Sequence, residues 1–209
     1  MMRDVEINDP YILERLNGFL ESFNKLDIEK SFKMDNRDPS IDKVYGTSEE
    51  YLKKMRVEGH VGYPMAIKGI DILAHPTKKD GWGEIEQEVS YEFGRELGAQ
   101  QNALCCYYPS DGFIGWHDNH DAPGHTLLFT WSATGDGYYR YRDIDTGEVK
   151  TLPDRAGWIC RTGEYGDGKA APEQWHCAAT NEPRWSIAFY VRSKAMIDMI
   201  VEDLEYPDS

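Results

Sequence analysis

Basic side chains are scarce in this sequence: 23 Lys and Arg stand against 37 Asp and Glu in 209 residues, a formal charge of −14 at pH 7. That balance opposes the counterion release that draws proteins onto nucleic acid. The only basic doublets, Lys53-Lys54 and Lys78-Lys79, lie beside acidic residues, so nucleic acid is not an expected partner. Long apolar runs are also missing, which excludes a membrane-crossing helix, and Met1-Met2-Arg3-Asp4-Val5-Glu6 has no apolar stretch of a secretory signal. A soluble, cytoplasmic protein is expected, as a monomer or homodimer. The four cysteines (Cys105, Cys106, Cys160, Cys177) show no C-x-x-C spacing, so neither a zinc site nor a disulfide framework is indicated, and they read as small buried hydrophobes. With no linker, repeat or low-complexity tract, one domain over 1–209 is expected.

What is present changes character near residue 100. Asp9-Pro10 is a cap followed by a favoured first helical residue, and Ile12, Leu13, Leu16, Phe19, Leu20 and Phe23 recur on one helical face. Thr47, with Glu50 reaching back, starts a second, short helix whose apolar side is Tyr51, Leu52 and Met55. A third spans about 84–97, with Ile85, Val89, Phe93 and Leu97 at four-residue intervals before Gly98 ends it. The stretch 59–80 reads as irregular, broken by Pro64 and Pro76. Beyond Gln100 come β-prone runs at 103–108, 113–119, 126–133, 138–143, 148–152, 157–163, 174–179 and 185–192, then a helix at 195–204. Eight short strands with no helix between them predict a mainly β jelly roll or barrel with helical cover, an α+β fold. The expected organisation is a helical part over 1–100, a β core over 101–192, and a closing helix and tail over 193–209.

The chemistry is concentrated in Trp116-His117-Asp118-Asn119-His120-Asp121 and, about sixty residues on, Trp175-His176-Cys177. Alternate residues of a strand share a face, so His117 and Asn119 point one way and Asp118 the other. A distant histidine completing such a set is what a facial triad for non-haem Fe(II) requires, because three adjacent ligands leave positions open for an oxoacid and O2. Arg184 follows on the next strand, where a fixed guanidinium can hold a carboxylate through paired hydrogen bonds. Tyr107-Tyr108-Pro109 precedes His117 by one expected hairpin, with a phenol on a neighbouring strand.

The run from Tyr108 through Gly115-Trp116-His117, continued by His176 and Arg184, resembles the Fe(II)- and 2-oxoglutarate-dependent oxygenase superfamily over roughly residues 102–192. The spacing is similar to that of small phage-encoded members and, distantly, the alkylated-base demethylases. The resemblance implies a double-stranded β-helix of the cupin-like kind with the N-terminal helices packed on the barrel. It also implies the cofactors Fe(II), 2-oxoglutarate and O2, and hydroxylation of a small molecule or peptide residue. By it, His117 and His176 bind iron, Arg184 binds the distal carboxylate of 2-oxoglutarate, and Tyr108 bonds to the same carboxylate.

One position departs from the family pattern: Asn119 stands where Asp or Glu is usual and offers only a neutral carbonyl oxygen. Four readings stay open. Asn119 ligates as the third member of the set; two histidines and water suffice, as in the resembling aspartyl/asparaginyl hydroxylases; chloride enters, as in the resembling halogenases; or Asp118 or Asp121 supplies the carboxylate from a bulge. Asn is bulkier than the residues that admit chloride, which ranks halogenation below hydroxylation. A different class, a non-catalytic jelly-roll metal-binding module, competes with both. Asp121, beside Pro123-Gly124, is otherwise a turn residue and the candidate for substrate contact. His60, His75 and His125 read as structural and His120 as exposed. Trp131, Tyr139, Tyr141, Trp158 and Trp185 read as core, and 163–168 as a surface loop, a lid candidate.

Overall fold

The computed structural model describes residues 2–60, 62–73, 82–119, 124–165 and 174–207. In chain order its strands are β1 (Arg3–Val5), β2 (Asp35–Asn36), β3 (Ile67–Asp71), β4 (Gln101–Tyr108), β5 (Phe113–His117), β6 (Gly124–Ser132), β7 (Gly137–Arg142), β8 (Val149–Pro153), β9 (Gly157–Tyr165), β10 (His176–Thr180) and β11 (Arg184–Val191). The helices are α1 (Pro10–Lys25), α2 (Ile28–Ser31), α3 (Lys43–Gly46), α4 (Glu49–Val57), α5 (Trp82–Glu86), α6 (Gly94–Glu96) and α7 (Lys194–Glu205). All pairings are antiparallel, in the order β1-β9-β6-β11-β4-β3-β5-β10-β7-β8. From β4 onward the chain thus lays β4, β11, β6 and β9 into a major sheet and β5, β10, β7 and β8 into a minor one. This is the jelly-roll arrangement expected from eight punctuated strands.

The first hundred residues differ from the sequence reading in several features, since they also hold β1, β2, β3, α2 and α3, which that reading does not place. The stretch 59–80 is not wholly irregular: β3 joins the two sheets, pairing Ile67 and Lys68 with β5 and Ile70 and Asp71 with β4. Five residues containing a glycine carry little intrinsic strand signal, and the two sheet edges they join supply it. The glycine has a packing reason, since a Cβ on Gly69 would lie 3.0 Å from the Tyr108 ring. The second helix is capped one residue later than expected: Ser48 accepts the Tyr51 N–H, while Thr47 donates to the Lys43 carbonyl and meets the Tyr138 hydroxyl. Asp9 caps α1 as expected. The third helix forms as α5 and α6 joined through a π-helical stretch, Gln87–Phe93. An α-helix would rotate a strict four-residue spacing by about 40° per step. The wider i→i+5 turns counter that drift and keep Ile85, Val89, Phe93 and Leu97 buried together.

Three apolar layers result. Outside the major sheet, α1, the π-helical segment and α7 pack Leu16, Phe19, Phe23, Phe93 and Ile200 on Phe129, Trp185, Ile187 and Phe189. Phe23 stacks on Trp185 at 4.1 Å and Phe19 meets Phe93 edge-on at 5.0 Å. Outside the minor sheet, Tyr51, Leu52 and Met55 of α4 cover Phe113, Trp116, Trp175 and Cys177. Between the sheets lie Ile67, Cys106, Tyr108, Ile114, Leu128, Tyr139, Ala178 and Ala188. All four cysteines are buried and free. No described helix is long and apolar enough to cross a membrane.

Candidate metal and oxoacid site

Strand alternation positions the two histidines. Trp116 and Trp175 are buried under α4 on the outer face of the minor sheet, so His117 and His176, next in sequence, turn inward. The β5–β10 register sets His117 directly across from His176, and their ring centroids are 4.1 Å apart. Each ring is fixed the same way, because its Nδ1–H donates to the carbonyl two residues back. The acceptors are Gly115 at 2.8 Å and Gln174 at 3.0 Å. That fixes the tautomer and leaves the Nε2 lone pair of each ring without a protein hydrogen bond among the described residues.

Burial keeps both rings neutral. It pushes His117 well below the ordinary imidazole range, with the His176 ring as a further cause, and lowers His176 to about 4. Tyr165 stacks on His176 at 4.9 Å, and Tyr139 lies parallel to it at 5.7 Å. The pair opens onto a cavity of about 150 Å³ between the sheets, which Asn119, Tyr108 and Arg184 also line. A space of that size admits a molecule like benzene, the scale of a small oxoacid.

His117, Asn119, His176, Tyr108 and Arg184 are therefore brought to one cavity. Asp118 is not part of it: it is buried on the other side, where its carboxylate accepts the Gly62 N–H at 3.2 Å. Asp121 and His120 lie outside the described residues, as does His75. His60 bonds the Tyr63 carbonyl at 2.9 Å, and neither it nor His125 lines the cavity. Among the described residues no group of three or more His, Cys, Asp or Glu converges.

The hairpin expected between Tyr108 and His117 does not form. The turn at Asp111-Gly112 carries the chain from the major sheet to the minor one, with β3 between them. β4 lies between β3 and β11, and the register partner of Tyr108 on β11 is Arg184 itself. Burial raises the Tyr108 phenol well above its usual range, so it stays protonated as a hydrogen-bond donor. Arg184 lies with its guanidinium 5.7 Å from the Tyr108 ring centroid.

Several lining residues were not singled out in the sequence: Tyr63, Tyr165 and Tyr190. The sequence reads as surface loop and lid candidate over 163–168, but β9 runs on to Tyr165, and 166–168 lie outside the described residues. Continuing the period of two from Arg161 through Gly163 to Tyr165 is the signal that would have placed that ring inside. Tyr139, read as core, is both core and lining.

A divalent cation suits this donor set. Two neutral, tautomer-fixed imidazoles face each other across the β5–β10 pair, and the neutral amide of Asn119 lines the same cavity. No family model matches the sequence, and no curated protein matches it. Among solved structures, a prolyl-4-hydroxylase from Pseudomonas putida aligns at 14% identity over 84% of this chain and 99% of that one, with a TM-score of 0.33. A prolyl hydroxylase from Trichoplax adhaerens, in complex with a hypoxia inducible factor oxygen degradation domain peptide fragment, aligns at 10% identity over 92% and 96%, with a TM-score of 0.35. The jelly-roll assignment rests on strand order and register rather than on these likenesses.

Proposed function

We propose that the chain is a non-haem Fe(II) dioxygenase that couples decarboxylation of 2-oxoglutarate to hydroxylation of a small molecule or peptide residue. The observation that carries the reading is the His117–His176 pair, anchored through Nδ1 and, among the described residues, open at Nε2, in the same cavity as Arg184. His117 and His176 would hold the metal, with the Asn119 side-chain oxygen or water as the third ligand. Arg184 and the Tyr108 hydroxyl would hold the far carboxylate of the oxoacid. Fe(II), 2-oxoglutarate and O2 together supply the oxidising chemistry, in which succinate and CO2 form as one oxygen atom is transferred to a substrate C–H bond. The apolar lining from Ile114, Leu128, Ala178 and Ala188 would limit water around a metal held there. Asp121 is proposed to contact substrate. Incubation with isotope-labelled 2-oxoglutarate tests the reading: Fe(II)-dependent labelled succinate is expected, and its absence with every substrate class tried refutes it.

The neutral Asn119 also favours a second reading, an anion such as chloride completing the charge of the metal site and a halogenated product. The asparagine occupies more of that position than a smaller residue would, which keeps hydroxylation first. Omitting chloride separates the two, because only halogenation loses its product. A non-catalytic metal-binding module would instead retain zinc and ignore 2-oxoglutarate. Two histidines and an amide are a poor match for the four protein ligands that structural zinc prefers.

A further inference from the structure

A second polar cluster lies within the barrel. Asp154 leaves β8 on the minor sheet with a fully buried side chain. Its Oδ1 accepts from Arg161 Nη1 at 2.7 Å, and its Oδ2 accepts from Arg184 Nε at 2.9 Å. Both arginines are buried and rise from the major sheet, so one carboxylate spans the interior and pins the sheets together. The two arginines are not equivalent. Arg161 also donates to Asp4 at 3.0 Å and to the carbonyls of Pro153 at 2.7 Å and Leu152 at 3.4 Å, and it does not line the cavity. Arg184 donates to Ser186 Oγ at 2.8 Å and more weakly to Thr130 Oγ1 at 3.4 Å, and it does line the cavity. A guanidinium carries five N–H groups. With Nε and one hydrogen on each terminal nitrogen committed, one N–H remains on each of Nη1 and Nη2.

We propose that Asp154 is a positioning residue: by holding Nε of Arg184 from behind, it aims the two remaining terminal N–H groups into the His117–His176 cavity as a fork for one carboxylate of the oxoacid. This role rests on the oxygenase reading above. It also follows from charge. Asp154 is shared between two cations, and the other carboxylate of the cluster, Asp4, is partly exposed, so Arg184 keeps positive charge with which to draw a ligand anion. A merely neutralising Asp154 would compete with that anion, and removing its charge would tighten binding. A positioning Asp154 has the opposite sign.

The experiment is anaerobic equilibrium binding of 2-oxoglutarate to the Fe(II)-loaded protein, for wild type, Asp154→Asn and Asp154→Glu, alongside KM and kcat from succinate formation. The Glu variant keeps both buried arginines charge-paired, so it decides the matter if Asp154→Asn does not fold. Both variants are expected to bind 2-oxoglutarate roughly tenfold more weakly, the scale of one misaligned charged hydrogen bond. KM for 2-oxoglutarate should rise by the same factor, with kcat falling less and Fe(II) affinity moving by less than about twofold. A general loosening of the fold would lower metal affinity as well. Unchanged or tighter 2-oxoglutarate binding in a cooperatively folded variant overturns the positioning role alone. A wild type that binds no 2-oxoglutarate overturns the oxygenase reading and this role with it.

Discussion

The two polar ends of the barrel interior are held by opposite means. At the histidine end, two bases are buried in neutral form, each with one backbone hydrogen bond and, among the described residues, one nitrogen left open. At the arginine end, three charged groups are buried in a mesh in which Asp154 serves two guanidinium groups. A neutral imidazole loses little on burial and stays available to a cation. A buried ion has to be compensated, and the compensation then becomes structural. The histidine end should therefore matter most to ligand binding and the arginine end most to stability.

The largest expected effect is on stability. Asp154→Ala leaves the buried Arg184 guanidinium without its carboxylate and Arg161 with Asp4 as its remaining one, and should destabilise the fold by about 3–5 kcal/mol, measured by urea denaturation, whereas His117→Ala should lose only about 1–2 kcal/mol. Equal losses would erase the contrast between the ends. The second effect runs the other way: His117→Ala or His176→Ala should lower Fe(II)-dependent succinate formation by more than about 100-fold while the protein remains folded by circular dichroism. A smaller third effect concerns Asn119. Asn119→Asp places a carboxylate beside the pair and should tighten Fe(II) binding roughly tenfold, and no change in a metal titration would remove Asn119 from the ligand set.

Acid sharpens the same contrast. His176 has its folded pKa lowered from 6.5 to about 4 by burial, so the unfolded chain takes up the proton first. Stability present above pH 6.5 is then lost as pH falls towards 4 in the metal-free protein. Glu182 acts in a lower window. Burial raises its carboxyl, but hydrogen bonds from Ser132, Thr134 and the Asp136 N–H outweigh that and bring it from 4.5 to about 2. Its contribution is present above pH 4.5 and lost as pH falls to 2. Urea midpoints measured against pH should show both steps, with Glu182→Gln flattening the lower one and the His117→Ala/His176→Ala double variant the upper, to which both buried rings contribute.

The β core was the legible part of the sequence. The eight strand runs are short, alternate in character and are bounded by turn residues, and each forms within a few residues of its expected limits. The inward turn of His117 and Asn119 against Asp118 followed from the same alternation. What was not legible depends on partners far along the chain. Ile67-Lys68-Gly69-Ile70-Asp71 becomes a strand because two sheet edges need joining. Arg161 and Asp154, charged residues in or beside strands that would ordinarily place them at the surface, are buried because they satisfy each other. Pairwise compensation of this kind leaves no periodic trace in a sequence.

The most direct test of the central claim is an anaerobic Fe(II) titration of the purified protein with and without 2-oxoglutarate. One Fe(II) per chain is predicted, bound more tightly when 2-oxoglutarate is present and lost in the His117→Ala/His176→Ala double variant. Undiminished Fe(II) binding by that double variant would contradict the account.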